Sequence, residues 1–323
     1  MQTFSCKIHI FLFSVFAIVS CSTHSEKAKQ KHHFNEPYVM VLGTIQDGGS
    51  PQAGCAKVCC AKLFQTANPT RKVVSLALID PANGRRYLFE AGPDFKTQLH
   101  ELDHKTGWKN KTPWPNGIFI THAHIGHYTG LLHLGKEAMD AKGCAVYVLP
   151  RMKTFLETNG PWLQLYNTGN IILNPLKPDS AQTLSDELSV IALQVPHRDE
   201  FSETAGFLIQ GPNKSLLFIP DIDKWEKWEI DIISLIKKVD YALIDGTFYS
   251  ADEIKNRKLS EIPHPLVTES MLLFDSLNAS DKNKIHFIHF NHTNPLLDTT
   301  SAEYKHVQKK GFQVAKYKQV FAL

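Results

Sequence analysis

Thr121-His122-Ala123-His124-Ile125-Gly126-His127 is the stretch that decides how this chain reads. It directly follows Ile118-Phe119-Ile120, an apolar run that reads as a buried strand. His122 and His124 lie two residues apart, so in extended backbone both imidazoles point to one side and both can reach one metal ion. His127 comes three residues later, where the chain should turn into a helix. It would point to a neighbouring position and suit a second ion about 3.5–4 Å away. A single histidine at a strand end is commonly structural; packing alone does not explain three in so short a stretch.

The same arrangement recurs downstream. Val195-Pro196-His197 and Ile219-Pro220-Asp221 each place one ligand-type side chain just past an apolar run, and Phe287–Phe290 leads into Asn291-His292-Thr293-Asn294-Pro295. Singly, His197 and His292 read as turn residues and Asp221 as a helix N-cap, a role compatible with ligation. Together the strand ends can converge with five His and one Asp at one edge, and that favours a metal site. His133, on the segment after the motif, reads as packing or surface. His286 and His289 lie on a strand and read at most as supports behind the ligands.

The rest of the chain alternates short apolar runs with helical spacing. Strands are expected at 38–42, 73–79, 85–91, 118–121, 145–149, 171–173, 188–195, 206–209, 215–219, 241–244, 284–290 and 313–317. Helices are expected from Asp94, as N-cap, to about Leu102, and over 130–139, 222–239, 266–277 and 302–309. Two groups of strands, each followed by helices, predict an α+β chain of two packed sheets with helices outside, in one domain over residues 36–323. The 323 residues carry 35 basic and 32 acidic side chains, a net charge of +3, which is too even to argue for nucleic acid. Sixteen histidines are the compositional feature to follow.

The N-terminus reads as a targeting segment. Ile8–Val19 is apolar but shorter than the roughly 20 residues a bilayer span needs, and it suits a signal-peptide core. Ile18-Val19-Ser20-Cys21 resembles a bacterial lipobox, which implies a signal peptide over residues 1–20 and lipid on Cys21. Ordinary secretion or a buried helix are the alternatives. The polar stretch 21–35 then reads as a flexible tether, and the protein as exported and held to a membrane by its lipid.

The motif, the later His–Asp–His order and the segments Asp47-Gly48-Gly49-Ser50-Pro51-Gln52, Pro196-His197-Arg198, Leu243-Ile244-Asp245-Gly246-Thr247-Phe248 and Thr293-Asn294-Pro295 resemble the metallo-β-lactamase superfamily over residues 38–317. Within it they look most like the pyrroloquinoline-quinone biosynthesis protein B family and its phosphodiesterase relatives. The resemblance implies an αββα sandwich of two mixed sheets. It places His122, His124 and His197 on one ion, Asp221 as a bridge, and His127 and His292 on a second, with water activated by metal as nucleophile. Such donors suit Zn²⁺, one or two ions, with Mn²⁺ or Fe open where oxygen ligands increase. His264 stands where phosphodiesterase relatives place a histidine that protonates the leaving oxygen. It could instead replace a missing carboxylate ligand, or be a plain loop residue.

Two departures bear on the chemistry. The family's HxHxDH motif has Gly126 where its Asp should be, so the second ion is expected to bind weakly or not at all, and Gly126→Asp to raise metal content. Glu90 stands near a usual Asp and could keep that residue's supporting role. Cys55, Cys59 and Cys60 form CxxxCC where relatives bind a structural zinc through CxCxxC. Cys144 or a histidine could be the fourth ligand, and a disulfide is the competing reading. The expected activity is hydrolysis of a small molecule, a phosphodiester or a cyclic ester or amide. The rival is a non-catalytic metal- or ligand-binding lipoprotein with a degenerate site.

Overall fold

The computed structural model describes residue 2 and residues 36–106, 112–254 and 258–323. The expected signal peptide, tether and lipidated Cys21 lie outside the described residues. No helix among the described residues is long and apolar enough to cross a membrane.

In chain order the strands are β1 (Tyr38–Gly43), β2 (Ser75–Asp80), β3 (Arg85–Phe89), β4 (Gly117–Phe119), β5 (Cys144–Val148), β6 (Ile171–Pro175), β7 (Ala181–Ser185), β8 (Leu188–Val195), β9 (Thr204–Gln210), β10 (Ser215–Ile219), β11 (Tyr241–Asp245), β12 (Ile285–Ile288), β13 (Gln313–Val314) and β14 (Val320–Ala322). They form two seven-stranded sheets, ordered β14-β1-β2-β3-β4-β5-β6 and β13-β12-β11-β10-β9-β8-β7. Both are mixed. β3 to β6 run parallel, as do β10 to β13, while β14, β1, β2 and β3 pair antiparallel, as do β7 to β10.

Side-chain alternation explains the layering. Val39, Val41, Leu76, Leu78 and Phe89 face Val190, Phe207, Leu216 and Phe218 between the sheets. The residues one step along, Met40, Leu42, Ala77 and Ile79, point outward with Phe95, Leu99, Met152 and Leu156 of the helices Phe95–Thr106 and Pro150–Thr158. On the other sheet Leu217, Ile219 and Ile244 meet Ile232, Ile236, Val267 and Val307 from the helices Ile232–Lys238, Val267–Leu273 and Ala302–Lys309. Both faces of each sheet are covered, which is why the strands read as continuous apolar runs. The result is the expected αββα sandwich. At its centre Phe89 stacks on Phe119 at 4.8 Å and meets Phe207 edge-on at 5.3 Å.

Several local expectations fail for local reasons. The helix expected over 222–239 divides into the 3-10 turn Trp225–Lys227 and Ile232–Lys238, because Asp231 caps the latter by accepting from the Ile233 N–H at 3.0 Å. Asp221 therefore caps no helix. Thr129–Leu134 is a short 3-10 helix that ends at Gly135, not a helix to Met139. Asp94 precedes its helix, but its carboxylate accepts from the Val73 N–H at 2.7 Å, which ties the helix start to the edge of β2. The edge strands β7 and β14 and the helices Pro150–Thr158 and Trp162–Asn167 carry too little apolar period to stand out.

One close approach sets the site. The Glu90 N–H donates to Phe119 O, the Ala91 N–H to His127 O and the Gly130 N–H to Ala91 O, so the chain leaving β3 is stitched to the motif loop. A Cβ on Gly92 would lie 2.0 Å from Gly126 O. Only glycine allows this contact, and backbone cannot yield as a flexible side chain does. Gly92→Ala is expected to destabilise the fold by about 1–3 kcal/mol and to lower metal uptake. A thermal melt and metal analysis check this; a variant matching the wild type in both would contradict the tight-approach account.

Candidate metal centre

The motif follows β4, whose carboxyl end lies beside that of β3. His122 and His124 follow it, His124 in extended backbone, and His127 sits in the short helix Ile125–Tyr128. His197 follows β8, Asp221 follows β10 and Asp245 ends β11. The two sheets are joined at this rim by the Ala205 N–H donating to Thr121 O, and by Ile45, which bridges to both Val73 and Phe290.

Two groups of ligand-type atoms result, each within 4.8 Å of one another: His122, His124, His197 and Asp221, and Asp47, His127, Asp221 and His289. His122 Nε2 is 2.7 Å from His124 Nδ1 and 3.5 Å from Asp221 Oδ2, and His197 Nε2 is 3.3 Å from Asp221 Oδ1. In the second group Asp47 Oδ1 is 2.9 Å from His127 Nε2 and 3.3 Å from His289 Nε2, while Asp221 Oδ2 stands 3.8 Å and 4.0 Å from those nitrogens. Asp221 belongs to both groups, as a bridge requires.

The donor set fits a cation. His197 Nε2 and Asp221 Oδ1 are buried and make no hydrogen bond, although they lie 3.3 Å apart. The other nitrogen of every ring has an oxygen neighbour. His122 Nδ1 lies 2.8 Å from Thr121 Oγ1, His124 Nε2 3.2 Å from Glu200 Oε2, His127 Nδ1 3.2 Å from Glu90 Oε1, His197 Nδ1 3.4 Å from Asp223 Oδ1 and His289 Nδ1 2.9 Å from Thr247 Oγ1. The Thr247 hydroxyl donates to Asp245 Oδ1 at 2.7 Å, so it can only accept from His289 Nδ1–H. That leaves a lone pair on His289 Nε2, facing Asp47 and Asp221. Such backing by oxygen fixes ring orientation and tautomer at metal sites. Glu90 lies behind His127, and its Oε2 accepts from the Thr121 N–H at 3.3 Å.

The electrostatics divide the rings: burial disfavours charge on His127, but Asp47 and Glu90 outweigh it and hold the ring well above the usual imidazole value. Burial, with His127 and other rings adding to it, holds His122 well below the usual imidazole value, so it stays neutral as ligation requires. Burial opposes the charge on Asp221, but His197, His264 and His289 outweigh it and hold the carboxyl well below the usual range. His264 forms a third group with Asp221 and Asp245, its Nδ1 lying 2.9 Å from Asp245 Oδ2 and 3.1 Å from Asp221 Oδ1. Burial lowers its pKa, but Asp245 and Asp221 more than compensate and raise it to about 10.

One expected ligand is misplaced. His292 does not reach the second group; the residue that does is His289, three positions earlier. The chain turns immediately after β12, and His289 holds a positive φ of 67°. A bulky side chain in that region marks strain that the surroundings enforce, a feature that clusters at functional sites. Asp47 was also missed, because it lies in a glycine-rich loop with no apolar run to mark it.

His292 instead joins Cys55, Cys59 and Cys60, again within 4.8 Å. It supplies the fourth donor that the sequence left open. The Gln52 N–H donates to Cys60 Sγ at 3.4 Å, and Cys59 and Cys60 Sγ lie 4.0 Å apart. All four described cysteines are free, so the alternative of a disulfide is not realised. Cys144 is buried in β5, away from the group, and burial pushes its thiol up to about 12. Three thiols and one imidazole suit a tetrahedral Zn²⁺. Cys59→Ser should remove about one ion per chain and lower the melting temperature, since a structural ion contributes folding energy directly; an unchanged metal content and melt would contradict this assignment.

A family model described as Beta-lactamase superfamily domain matches residues 85–287. Coenzyme PQQ synthesis protein B of Nitrosococcus oceani is 27% identical over 308 residues, covering 86% of this chain and 97% of that protein. Among solved structures, Zn²⁺-bound PqqB from Methylobacterium extorquens superposes with a TM-score of 0.73 at 22% identity, covering 88% of this chain and all of that one. A diphosphatase from the PhnP family gives 0.60 at 17% identity, covering 89% of this chain and 97% of that one. These likenesses agree with the two mixed sheets and flanking helices described above, and the chain belongs to the beta-lactamase superfamily, with homologues among the PqqB proteins.

Proposed function

We propose that the protein is a metal-dependent hydrolase that uses activated water on a small phosphodiester or a cyclic ester or amide. One observation carries the reading. Five histidines from three strand ends aim nitrogens at one buried carboxylate, Asp221, and each has its other nitrogen backed by an oxygen. Zn²⁺ is the ion that this donor set favours, with one or two at the active site and one more at the cysteines. A divalent cation held there supplies Lewis acidity and lowers the pKa of water to about 7.

The chain's own residues supply the rest. His122, His124 and His197 hold the first position, His127 and His289 the second, and Asp221 spans both. His264 has Nδ1 hydrogen-bonded to Asp245 Oδ2, and with Asp221 beside it the ring stays protonated at neutral pH and keeps Nε2–H for a leaving oxygen. At the rim, Arg198 Nη2 lies 3.3 Å from His124 Nε2, and Ile125 and Phe201 are exposed. A cation beside apolar surface suits an anionic ester with an apolar substituent, and this favours the phosphodiester among the substrate classes. The rival reading of a degenerate, non-catalytic site rested on Gly126, and the nearby Asp47 carboxylate weakens that ground.

We further infer, from the sequence of the leader alone, that the chain is exported and tethered through lipid on Cys21. Cys21→Ser should then leave the membrane fraction; a variant that stays there would sink the inference.

The hydrolase reading predicts chelator-sensitive turnover of a generic substrate such as bis(p-nitrophenyl) phosphate. His122→Ala should lose bound metal and fall to background. Turnover that survives both chelation and this substitution would contradict the reading. His264→Gln should keep its metal but lose about 10²–10⁴-fold in kcat on an ester with a poor leaving group, and far less on a nitrophenyl ester, whose leaving group needs no proton. An equal loss on both esters would contradict the role given to His264.

A further inference from the structure

We propose that Asp47 is the carboxylate that the motif lacks at position 126, carried to the same place by another part of the chain, so that the second ion position is complete. This rests on the metal-dependent reading above.

The argument is first one of volume. A Cβ built on Gly126 would lie 2.6 Å from both the Cα and the Oδ1 of Asp47. Real Cβ atoms do not approach so closely, and one of the two contacts is backbone. A side chain at position 126 and Asp47 in its present place therefore exclude each other. The glycine is the opening through which a carboxylate from a different segment enters.

The second argument is position. Asp47 Oδ1 lies 2.9 Å from His127 Nε2 and 3.3 Å from His289 Nε2, the two nitrogens that face the second ion position. One carboxylate oxygen held between two imidazole nitrogens, with Asp221 Oδ2 within 3.8 Å and 4.0 Å of them, makes a four-donor pocket from side chains alone.

The third is anchorage. The Gln46 N–H donates to Phe290 O and the Phe290 N–H to Thr44 O, so the residue before Asp47 is bonded to the residue after His289. The Gly49 N–H closes the turn onto Gln46 O, with Gly49 at a φ of 74°. Farther along, the same two segments meet again, where Cys55, Cys59 and Cys60 gather with His292. The loop that carries Asp47 and the turn that carries His289 are thus pinned to each other at both ends. A carboxylate borrowed from a distant loop needs this, because a ligand on a loose segment would lose binding free energy to ordering.

The test is metal content per chain, together with the absorption spectrum of the Co²⁺-substituted protein, for wild type, Asp47→Ala, Asp47→Asn, His289→Ala, Gly126→Asp and the double variant Asp47→Gly/Gly126→Asp. Circular dichroism confirms folding in each. Asp47→Ala and Asp47→Asn should each lose the same one ion that His289→Ala loses, with the rest of the Co²⁺ spectrum intact. Gly126→Asp alone should bind less metal than wild type, because the two side chains collide. The double variant should also lack the ion, because glycine at position 47 keeps the Cα that a Cβ at position 126 would meet at 2.6 Å. The proposal is overturned if both Asp47 variants keep the ion that His289→Ala releases, or if Gly126→Asp alone gains one; either result leaves the hydrolase reading standing. A wild type that loses no ion on His122→Ala overturns both readings together.

Discussion

The structure is organised around a charge that water cannot reach. Asp221 is 2% exposed, just past the end of β10, and no lysine or arginine among the described residues pairs with it. An ionised carboxylate in such a place is strongly unfavourable unless cationic or hydrogen-bonding partners surround it. What surrounds it are His122, His127, His197, His264 and His289. His264 is protonated; as neutral bases the other four rings offer lone pairs, and lone pairs aimed at a carboxylate are stable only with positive charge between them. The protein places a cation there or protonates some rings. Asp245, by contrast, has its oxygens fully partnered, pairing with His264 at 2.9 Å and accepting from the Thr247 N–H, the Thr247 hydroxyl and the Ile222 N–H. Two buried aspartates on neighbouring strands thus have different tasks: one is held by the backbone, the other is left for an ion.

The fold meets this demand with two sheets whose parallel halves end on one rim. β3 and β4 deliver Glu90 and the motif; β10, β11 and β12 deliver Asp221, Asp245 and His289. Carboxyl ends of parallel strands are where open sheets gather ligands. The aromatic contacts of Phe89 with Phe207 and Phe218 join the two sheets beneath that rim. The segments 47–60 and 289–292 then close the site from the side, each contributing one residue to the active-site groups and at least one to the cysteine group.

Much of this was legible in the sequence, and the failures have physical causes. The buried strands announced themselves as apolar runs, and a ligand-type residue after such a run marked His122, His124, His197 and Asp221. The paired sheets followed from the grouping of strands and helices. His289 and His292 were exchanged because both follow the same run, and which of them turns inward depends on a single residue of positive φ that composition does not encode. Asp47 stood in a segment noted for its resemblance, Asp47–Gln52, but not as a ligand, for a related reason. It lies far from the motif in sequence, and the sign of a ligand role is the glycine at position 126, which by itself reads as a loss. Spacing among Cys55, Cys59 and Cys60 left the fourth donor open, since only tertiary contact brings His292 to them.

The most direct measurement is an anomalous-scattering map at the zinc edge from crystals grown with Zn²⁺. The account predicts peaks within about 2.0–2.3 Å of the donors on both sides of Asp221, one toward His122, His124 and His197 and the other toward Asp47, His127 and His289. A map with density at the cysteines but none beside Asp221 would contradict it.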